Sequence, residues 1–168
     1  FFRYSDYRQY NVPATKLREY NYNITEMFFM GYTVEQIFNG YDDNNIFEWN
    51  QLLREQYITI SDLRLYTTFS CNDIYLLLKQ IYPNDSDVIH MTKLKNGGFS
   101  FIEILNIQSN NDSLLDQIFT LQQISQSTPK PPANFLKKLF LNKYSSDNYL
   151  DNGWTLKEIV ESDYTVVK

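Results

Sequence analysis

The sequence predicts an all-α fold: an array of short capped helices plus a few longer helices, arranged as an irregular helical repeat. Three observations lead to this prediction. One helix-start pattern recurs along the chain, and glycine stands at the end of several segments that are long enough for a short helix. Three longer segments carry apolar residues at helical spacing. Evidence for β-structure is weak, because the one extended candidate, residues 57–60, includes Thr59, which also serves as a helix cap.

The recurring pattern begins with an apolar residue and a cap, and an acid or amide follows three residues after the cap. Residues 32–37 are an example, with Tyr32 before the cap Thr33, then Gln36 and Ile37. In such a capping box the cap accepts from a backbone amide in the first turn, and the acid or amide accepts from the cap's own amide. The six pairs are Asn23 and Glu26, Thr33 and Gln36, Thr59 and Asp62, Ser70 and Asp73, Ser100 and Glu103, and Thr155 and Glu158. Tyr164-Thr165 begins a seventh copy.

The residues that flank each capping box are spaced as a hydrophobic staple, which sets the angle at which the chain enters the helix. Tyr22 and Tyr32 are ten residues apart, which leaves room for about two helical turns before Gly31 or Gly40 ends each helix. Helices this short are unstable alone, so they must pack on their neighbours. We therefore expect the 14 tyrosines and 12 phenylalanines mainly between helices, not around a cofactor.

Longer helices interrupt the array of short ones. They are predicted over 45–56, 72–82 and 112–124, and the second is expected to be the central core helix. Residues 126–134 form a proline-rich linker that cannot continue a helix. The predicted organisation is a helical repeat domain over 1–125, this linker, and a small C-terminal helical segment over 135–168.

Composition excludes several classes of function. A net charge of −5 and a pI near 4.8 argue against nucleic acid as a partner, because phosphate binding needs a basic surface. No apolar stretch approaches the ~20 residues of a membrane span. The single cysteine, Cys71, rules out an internal disulfide and favours an intracellular protein. A chain that starts Phe1-Phe2 is typical of a processed product or of part of a longer polypeptide.

Residues that carry chemistry are scarce. His90 is the only histidine and Cys71 the only cysteine, so metal sites and nucleophilic pairs built from these residues are poorly supplied. We interpret Cys71 as a small buried side chain and His90 as a structural or surface residue. The five glycines do not form a phosphate-binding loop. We therefore expect no enzyme, no catalytic or cofactor-binding residues, no cofactor and no small-molecule substrate.

An alternative interpretation is a degenerate EF-hand-like calcium-binding module over residues 147–158. Asp147, Asp151 and Glu158 occupy the first, fifth and twelfth loop positions, whose side chains provide ligands in true EF-hands. The third position is Tyr149, and Gly153 stands one place late. Because a capping box already accounts for Glu158, we expect no metal site, and these three acids remain the alternative.

Several stretches of the chain resemble a known repeat. They are YNITEMFFMGYTVEQIFNGY, GFSFIEIL and GWTLKEIVESDYTVV, and they are similar to the tandem Gly-aromatic-Thr/Ser-x-x-Glu-Leu repeats of large nucleocytoplasmic DNA viruses and some bacteria. The abundance of asparagine, tyrosine and isoleucine also resembles coding from an AT-rich genome. The chain departs from a regular array at 40–57 and 75–98. The resemblance implies a scaffold or virion-associated protein, with no catalytic residues to carry over.

Together these observations predict a structural, scaffolding or protein-interaction component of a larger assembly, such as a minor capsid or capsid-associated protein of a virion. Its partners are then other proteins of that assembly, contacted through tyrosine, phenylalanine and asparagine side chains that the helices leave exposed. The expected location is the virion or the cell interior, with assembly in the host cytoplasm if the protein is viral.

Overall fold

The computed structural model describes residues 10–40, 45–107, 114–140 and 143–163. Across these ranges the chain forms thirteen α-helices and one 3₁₀ helix, and it contains no β-strand. The predicted all-α fold of many short helices is therefore confirmed. The predicted seventh copy at Tyr164-Thr165 lies outside the described residues.

Contacts between residues divide the chain into two compact units. The first takes in the described residues up to Asp85, together with Asn96–Gly98. The second takes in Ser86–Lys95 and the described residues from Phe99 onward. Residues 126–134 therefore lie within the second unit, and the division of the chain at this linker stays a prediction.

Six α-helices and the 3₁₀ helix belong to the first unit, and most are no longer than seven residues. They are α1 (Ala14–Glu19), α2 (Ile24–Phe29), α3 (Val34–Asn39), the 3₁₀ helix (Ile46–Trp49), α4 (Asn50–Arg54), α5 (Ile60–Tyr66) and α6 (Cys71–Ile81). The predicted helix over 72–82 is confirmed as α6. The predicted helix over 45–56 is present as the 3₁₀ helix followed directly by α4.

The remaining helices follow α6 in chain order. They are α7 (Asp87–Asn96), α8 (Phe101–Leu105), α9 (Leu115–Ile118), α10 (Leu121–Ser125), α11 (Ala133–Leu139), α12 (Ser146–Asp151) and α13 (Leu156–Asp163). The longest described helix is α6, with 11 residues. No helix in the described ranges is long and apolar enough to cross a membrane.

All six predicted capping boxes are present. In α3, the Gln36 N–H donates to Thr33 Oγ1 at 3.2 Å, and the Thr33 N–H donates to Gln36 Oε1 at 3.0 Å. The other five make the same reciprocal pair of bonds. Two further boxes, Thr120 with Gln123 and Ser145 with Asn148, were not predicted.

The ten-residue spacing comes from a compact link between consecutive short helices. After α2, Gly31 adopts φ 94°, and the Tyr32 N–H donates back to the Met27 carbonyl at 3.2 Å. This Schellman motif ends one helix, and Tyr32 is also the apolar residue before the next cap. The residues with positive φ at such helix ends are Asn21, Gly31, Gln56, Gly98 and Gly153. The end of α2 and the start of α3 are therefore linked by only four residues, 30–33.

The first unit buries the apolar side of each short helix. Helix α3 packs against α1, α2 and α5, and α6 packs against α4 and the 3₁₀ helix. Trp49, Leu63 and Ile74 are fully buried, and the Phe69 ring lies 5.5 Å from Phe38 and 6.5 Å from Trp49 between centroids. Each such side chain contributes about 1.5–3 kcal/mol of burial, which the isolated helices lack.

The predicted single helix over 112–124 is wrong. The chain leaves the helical conformation at Phe119, with φ −118° and ψ 138°, and restarts at the cap Thr120. Phe119, Thr120, Gln123 and Ile124 form another copy of the capping pattern, so local capping divides the segment despite its helical apolar spacing. Lys95 stabilises the break because its Nζ donates to the Ile118 carbonyl and to Gln123 Oε1.

The proline-rich segment is irregular up to Pro132, and α11 then begins at Ala133. It is anchored at two points within the second unit. The Trp154 Nε1–H donates to the Pro131 carbonyl at 3.0 Å, and Lys130 Nζ donates to the Gly153 carbonyl at 3.1 Å. Helix α13 packs on both α11 and α12. The segment is therefore held to the helix link at 152–155.

Candidate functional site

An exposed cluster of aromatic side chains lies on the first unit. We call Phe28, Phe29, Tyr57 and Tyr66 the aromatic patch. Phe29 is 56% exposed, Tyr57 50% and Tyr66 45%. The Phe29 and Tyr57 rings meet edge to face with centroids 5.0 Å apart, and Phe28 lies 6.0 Å and 6.3 Å from them. Exposed apolar groups in contact with one another are typical of binding surfaces.

Tyr57 is exposed because the link between α4 and α5 has one extra residue. Two residues after the end of α4, Gln56 adopts a positive φ, and both the Tyr57 and Ile58 N–H groups donate to the Leu52 carbonyl. Elsewhere the residue after the positive φ is also the one before the next cap. Here these are two residues: Tyr57 follows the positive φ, and Ile58 precedes the cap. Ile58 is 3% exposed, whereas Tyr57 faces outward.

A groove of about 320 Å³ opens beside the patch, and we call it the aromatic groove. Its lining residues are Phe28, Thr33, Val34, Glu35, Tyr57, Ile58, Asp62 and Tyr66. They come from the end of α2, the start of α3, and the segment that runs from the α4–α5 link through α5. Two carboxylates, Glu35 and Asp62, accompany three aromatic rings there.

The two carboxylates differ in their hydrogen bonding. Asp62 Oδ2 accepts from the Thr59 N–H at 2.7 Å and from the Thr59 hydroxyl at 2.7 Å, so this acid is occupied in capping α5. Glu35 lies in the first turn of α3, is exposed, and takes no part in the Thr33–Gln36 box. No described residue forms an ion pair with Glu35. Its charge is therefore available to a partner.

Two other grooves line the first unit. One, of about 440 Å³, lies between the start of α1 and the side of α3, and it includes Tyr32, whose hydroxyl donates to the Val12 carbonyl. The other, of about 430 Å³, is lined by Ile24, Phe47 and polar side chains from the start of α2, the 3₁₀ helix and α4. Neither gathers several exposed rings.

The acids of the calcium alternative are not gathered into a site. Asp147 lies within α12, Asp151 is its last residue, and Glu158 lies in the first turn of α13. Eight of the twelve residues of the proposed loop, 147–151 and 156–158, are thus helical. Among the residues that the structure describes, no three His, Cys, Asp or Glu side chains are placed to hold a metal ion.

Glu158 has other partners. Its carboxylate accepts from the Thr155 N–H at 2.6 Å and pairs with Lys130 Nζ at 2.8 Å. The hydrogen bond from Lys130, followed by those from Thr155, lowers the pKa of Glu158 from 4.5 to about 2. Lys130 Nζ also lies 5.5 Å from the Trp154 ring centroid. This cluster joins the proline-rich segment to α13.

The single cysteine and the single histidine are both buried. Cys71 is buried at the start of α6, as predicted. His90 is 1% exposed in α7, and its Nδ1 lies 4.0 Å from Asp87 Oδ1. His90 therefore belongs to the interior of the second unit.

Exposed Tyr, Phe and Asn side chains were predicted to contact partner proteins, without a prediction of which ones. Two signals were available. Phe29 falls between the buried Met27 and Met30, out of phase with the apolar face of α2. Ile58 and Tyr32 both stand directly before a helix cap, but only Ile58 is preceded by another aromatic residue, Tyr57.

Comparison of the chain with protein-family models, curated proteins and solved structures found no significant match.

Proposed function

We propose that this protein is a structural or scaffolding component that binds other proteins within a larger assembly. The observation that carries this proposal is the aromatic patch, in which Phe29, Tyr57 and Tyr66 are each at least 45% exposed. Aromatic residues are enriched in protein interfaces, where each ring adds contact area at low entropic cost.

The local structure around the patch supports a binding role because it holds the rings in place before a partner arrives. Phe28 and Phe29 end α2, which has a complete capping box. The Tyr57 N–H closes the Schellman motif after α4, and Tyr66 is the last residue of the capped helix α5. Side chains on ordered backbone lose less conformational freedom on binding than side chains on loose loops.

The assembly that we propose is a virion, with the chain as a minor capsid or capsid-associated protein. Support for this finer statement comes from the Gly-aromatic-Thr/Ser repeat, which resembles repeats of large nucleocytoplasmic DNA viruses. A repeat of short capped helices suits a scaffold, since each unit adds surface without requiring a catalytic centre. A binding role, not a catalytic one, is proposed.

Site-specific photo-crosslinking tests the proposal. A benzoylphenylalanine in place of Phe29 should form a discrete crosslink to another protein in extract from the native source. The matched control carries the same group in place of Tyr20, which is 72% exposed on the same unit but outside the patch. Equal crosslinking at both positions, or none at Phe29, would show that the patch is not a binding surface.

A further inference from the structure

The aromatic groove combines ring faces with negative charge. Phe28, Tyr57 and Tyr66 line it, Glu35 and Asp62 add two carboxylates, and none of its described lining residues is basic. The whole chain also carries a net negative charge of −5, which has the same sign as the groove. Its electrostatic potential therefore favours a cation.

We propose that the aromatic groove binds a segment of a partner protein that presents arginine or lysine side chains. This inference rests on the proposed binding function and specifies the chemistry of the partner. A guanidinium stacks on the face of a phenylalanine or tyrosine ring, and a carboxylate beside the ring accepts its N–H groups. The groove offers both kinds of group within one lining.

The size of the groove limits the form of the partner. Its volume of about 320 Å³ lies near the lower end of the range for sites that enclose small ligands, ~300–1,000 Å³. It therefore accepts a few side chains of an extended segment. Phe29, which projects beside Tyr57, adds an apolar surface on which the stem of a long cationic side chain can lie.

The helix starts at this groove do not favour an anionic partner. Helices α3 and α5 both begin here, and free amides at a helix start attract anions. In this structure the Thr33 N–H donates to Gln36 Oε1 at 3.0 Å, and the Thr59 N–H donates to Asp62 Oδ2 at 2.7 Å. The cap amides are thus already satisfied, and the carboxylates of Glu35 and Asp62 in the same lining repel an anion. Glu35 is left as the exposed charge without an ion-pair partner among the described residues.

Peptide binding measured by fluorescence anisotropy tests the inference on the full chain. Three labelled peptides of equal length, built from glycine and serine, carry arginine, leucine or glutamate at the same three positions. We expect the arginine peptide to bind most tightly and the glutamate peptide not to bind. Binding of the arginine peptide should weaken between about 0.05 and 0.3 M salt, since exposed charges are screened.

Variants separate the rings from the charge. Tyr57→Ser with Tyr66→Ser should weaken the arginine peptide about tenfold, because two exposed cation–ring contacts are lost. Glu35→Gln keeps the shape of the side chain and should weaken binding about two- to fivefold, with a smaller salt dependence. Tyr20→Ser and Glu19→Gln are the matched controls on α1 and its C-terminal end, and they should leave binding unchanged. Circular dichroism of every variant verifies folding.

The possible outcomes distinguish this inference from the proposed function. If the leucine peptide binds as tightly as the arginine peptide and Glu35→Gln has no effect, the groove is an apolar site and the cationic partner is wrong. If no peptide binds while Phe29 still crosslinks to a protein, the patch is an interface but the inference about its partner fails. If both experiments are negative, the proposed function fails as well.

Discussion

Glycine serves two different physical purposes among the short helices. Gly31 ends α2 with φ 94°, a conformation that other residues adopt only with strain. Gly40 ends α3 with an ordinary φ of −90°. A Cβ at position 40 would lie 2.5 Å from Ala14 Cβ and 2.9 Å from the Thr15 backbone nitrogen. Position 40 is therefore glycine because α1 approaches so closely.

Gly40→Ala should lower the free energy of unfolding by about 1–3 kcal/mol, because the added methyl must displace backbone of α1. Urea denaturation followed by circular dichroism measures the change. Asn39→Ala, at the exposed neighbouring position, is the control and should alter stability by less than about 0.5 kcal/mol. A Gly40→Ala protein as stable as the wild type would contradict the close approach of α1 and α3.

Tyr149 is a fully buried tyrosine whose hydroxyl has no hydrogen-bond partner among the described residues. Burial, together with the nearby Tyr144, raises the pKa of Tyr149 to about 12. Its ring packs edge to face on Trp154, with centroids 5.4 Å apart. The ring therefore stabilises the second unit, whereas the buried hydroxyl opposes folding.

Tyr149→Phe should keep the packing and remove the unpaired hydroxyl. We expect the free energy of unfolding to stay equal or to rise by up to about 1 kcal/mol. Tyr149→Ala, which removes the ring as well, should lower it by about 3–5 kcal/mol. Thermal and urea unfolding of both variants test this pair, and a loss above about 1 kcal/mol in Tyr149→Phe would imply a partner for the hydroxyl.

At the scale of elements, stability depends on how each short helix begins. A helix of six residues such as α3 has few internal hydrogen bonds, so its capping box supplies a large share of its polar stabilisation. The apolar residues on either side of the box bury the helix against its neighbours. Tyr32 is 7% exposed and Ile37 is fully buried.

The same substitution at two threonines should have different effects. Thr33→Ala removes the cap of α3 and should lower the free energy of unfolding by about 1 kcal/mol. Thr15→Ala lies exposed in the first turn of α1, where alanine is the better helix former, and should be neutral or raise stability by up to about 0.5 kcal/mol. Chemical denaturation distinguishes them, and equal effects would mean that capping is unimportant here.

The link between the proline-rich segment and α13 should depend on pH through Glu158. Its pKa is about 2 in the folded chain and 4.5 ordinarily, so the ionised carboxylate stabilises the fold fully above pH 4.5. That stabilisation is lost as pH falls from 4.5 toward 2. Because the side chain is 38% exposed, we expect a modest effect.

Melting temperatures measured from pH 6 to pH 3 test this dependence. The wild type should lose stability more steeply on acidification than Glu158→Gln, which lacks the ionised carboxylate but can still cap α13, as Gln36 caps α3. Asp151→Asn, at an exposed position of the same unit, is the control and should follow the wild type. Identical slopes for Glu158→Gln and wild type would rule out the contribution of this carboxylate.

At the scale of the whole molecule, calcium should not stabilise the chain. Asp147 and Asp151 lie on α12, while Glu158 is engaged by Thr155 and Lys130. A ligand raises the melting temperature only if it binds the folded state. Addition of millimolar calcium should therefore leave the melting temperature unchanged, in wild type and in Asp147→Ala alike. A calcium-dependent rise that Asp147→Ala abolishes would instead support the EF-hand alternative.

Much of the fold could be predicted because the helix starts are local events. A cap and its partner are only three residues apart, so both members of each box can be recognised from a short stretch of sequence. The two missed boxes show the limit of that reading. Thr120 was hidden by apolar spacing that continued across it, and Ser145 uses Asn148, an amide shorter than the glutamine sought.

The aromatic patch could be predicted only as a class of residue. With 14 tyrosines and 12 phenylalanines, composition indicates that some rings stay exposed, but not which ones. Phe29 ends α2 and Tyr57 lies in the α4–α5 link, more than twenty residues further along the chain, so their ring contact at 5.0 Å depends on how α2 packs. The aromatic groove likewise needs residues from three parts of the chain.

The sequence by itself determined where six of the helices begin, since a capping box acts within a few residues. Only the tertiary structure decided which faces those helices bury, why position 40 must be glycine, and that Glu158 pairs with Lys130. It also placed two carboxylates beside exposed rings. The physical reason is that packing and charge act through space between residues distant in sequence, whereas a helix cap acts along the chain.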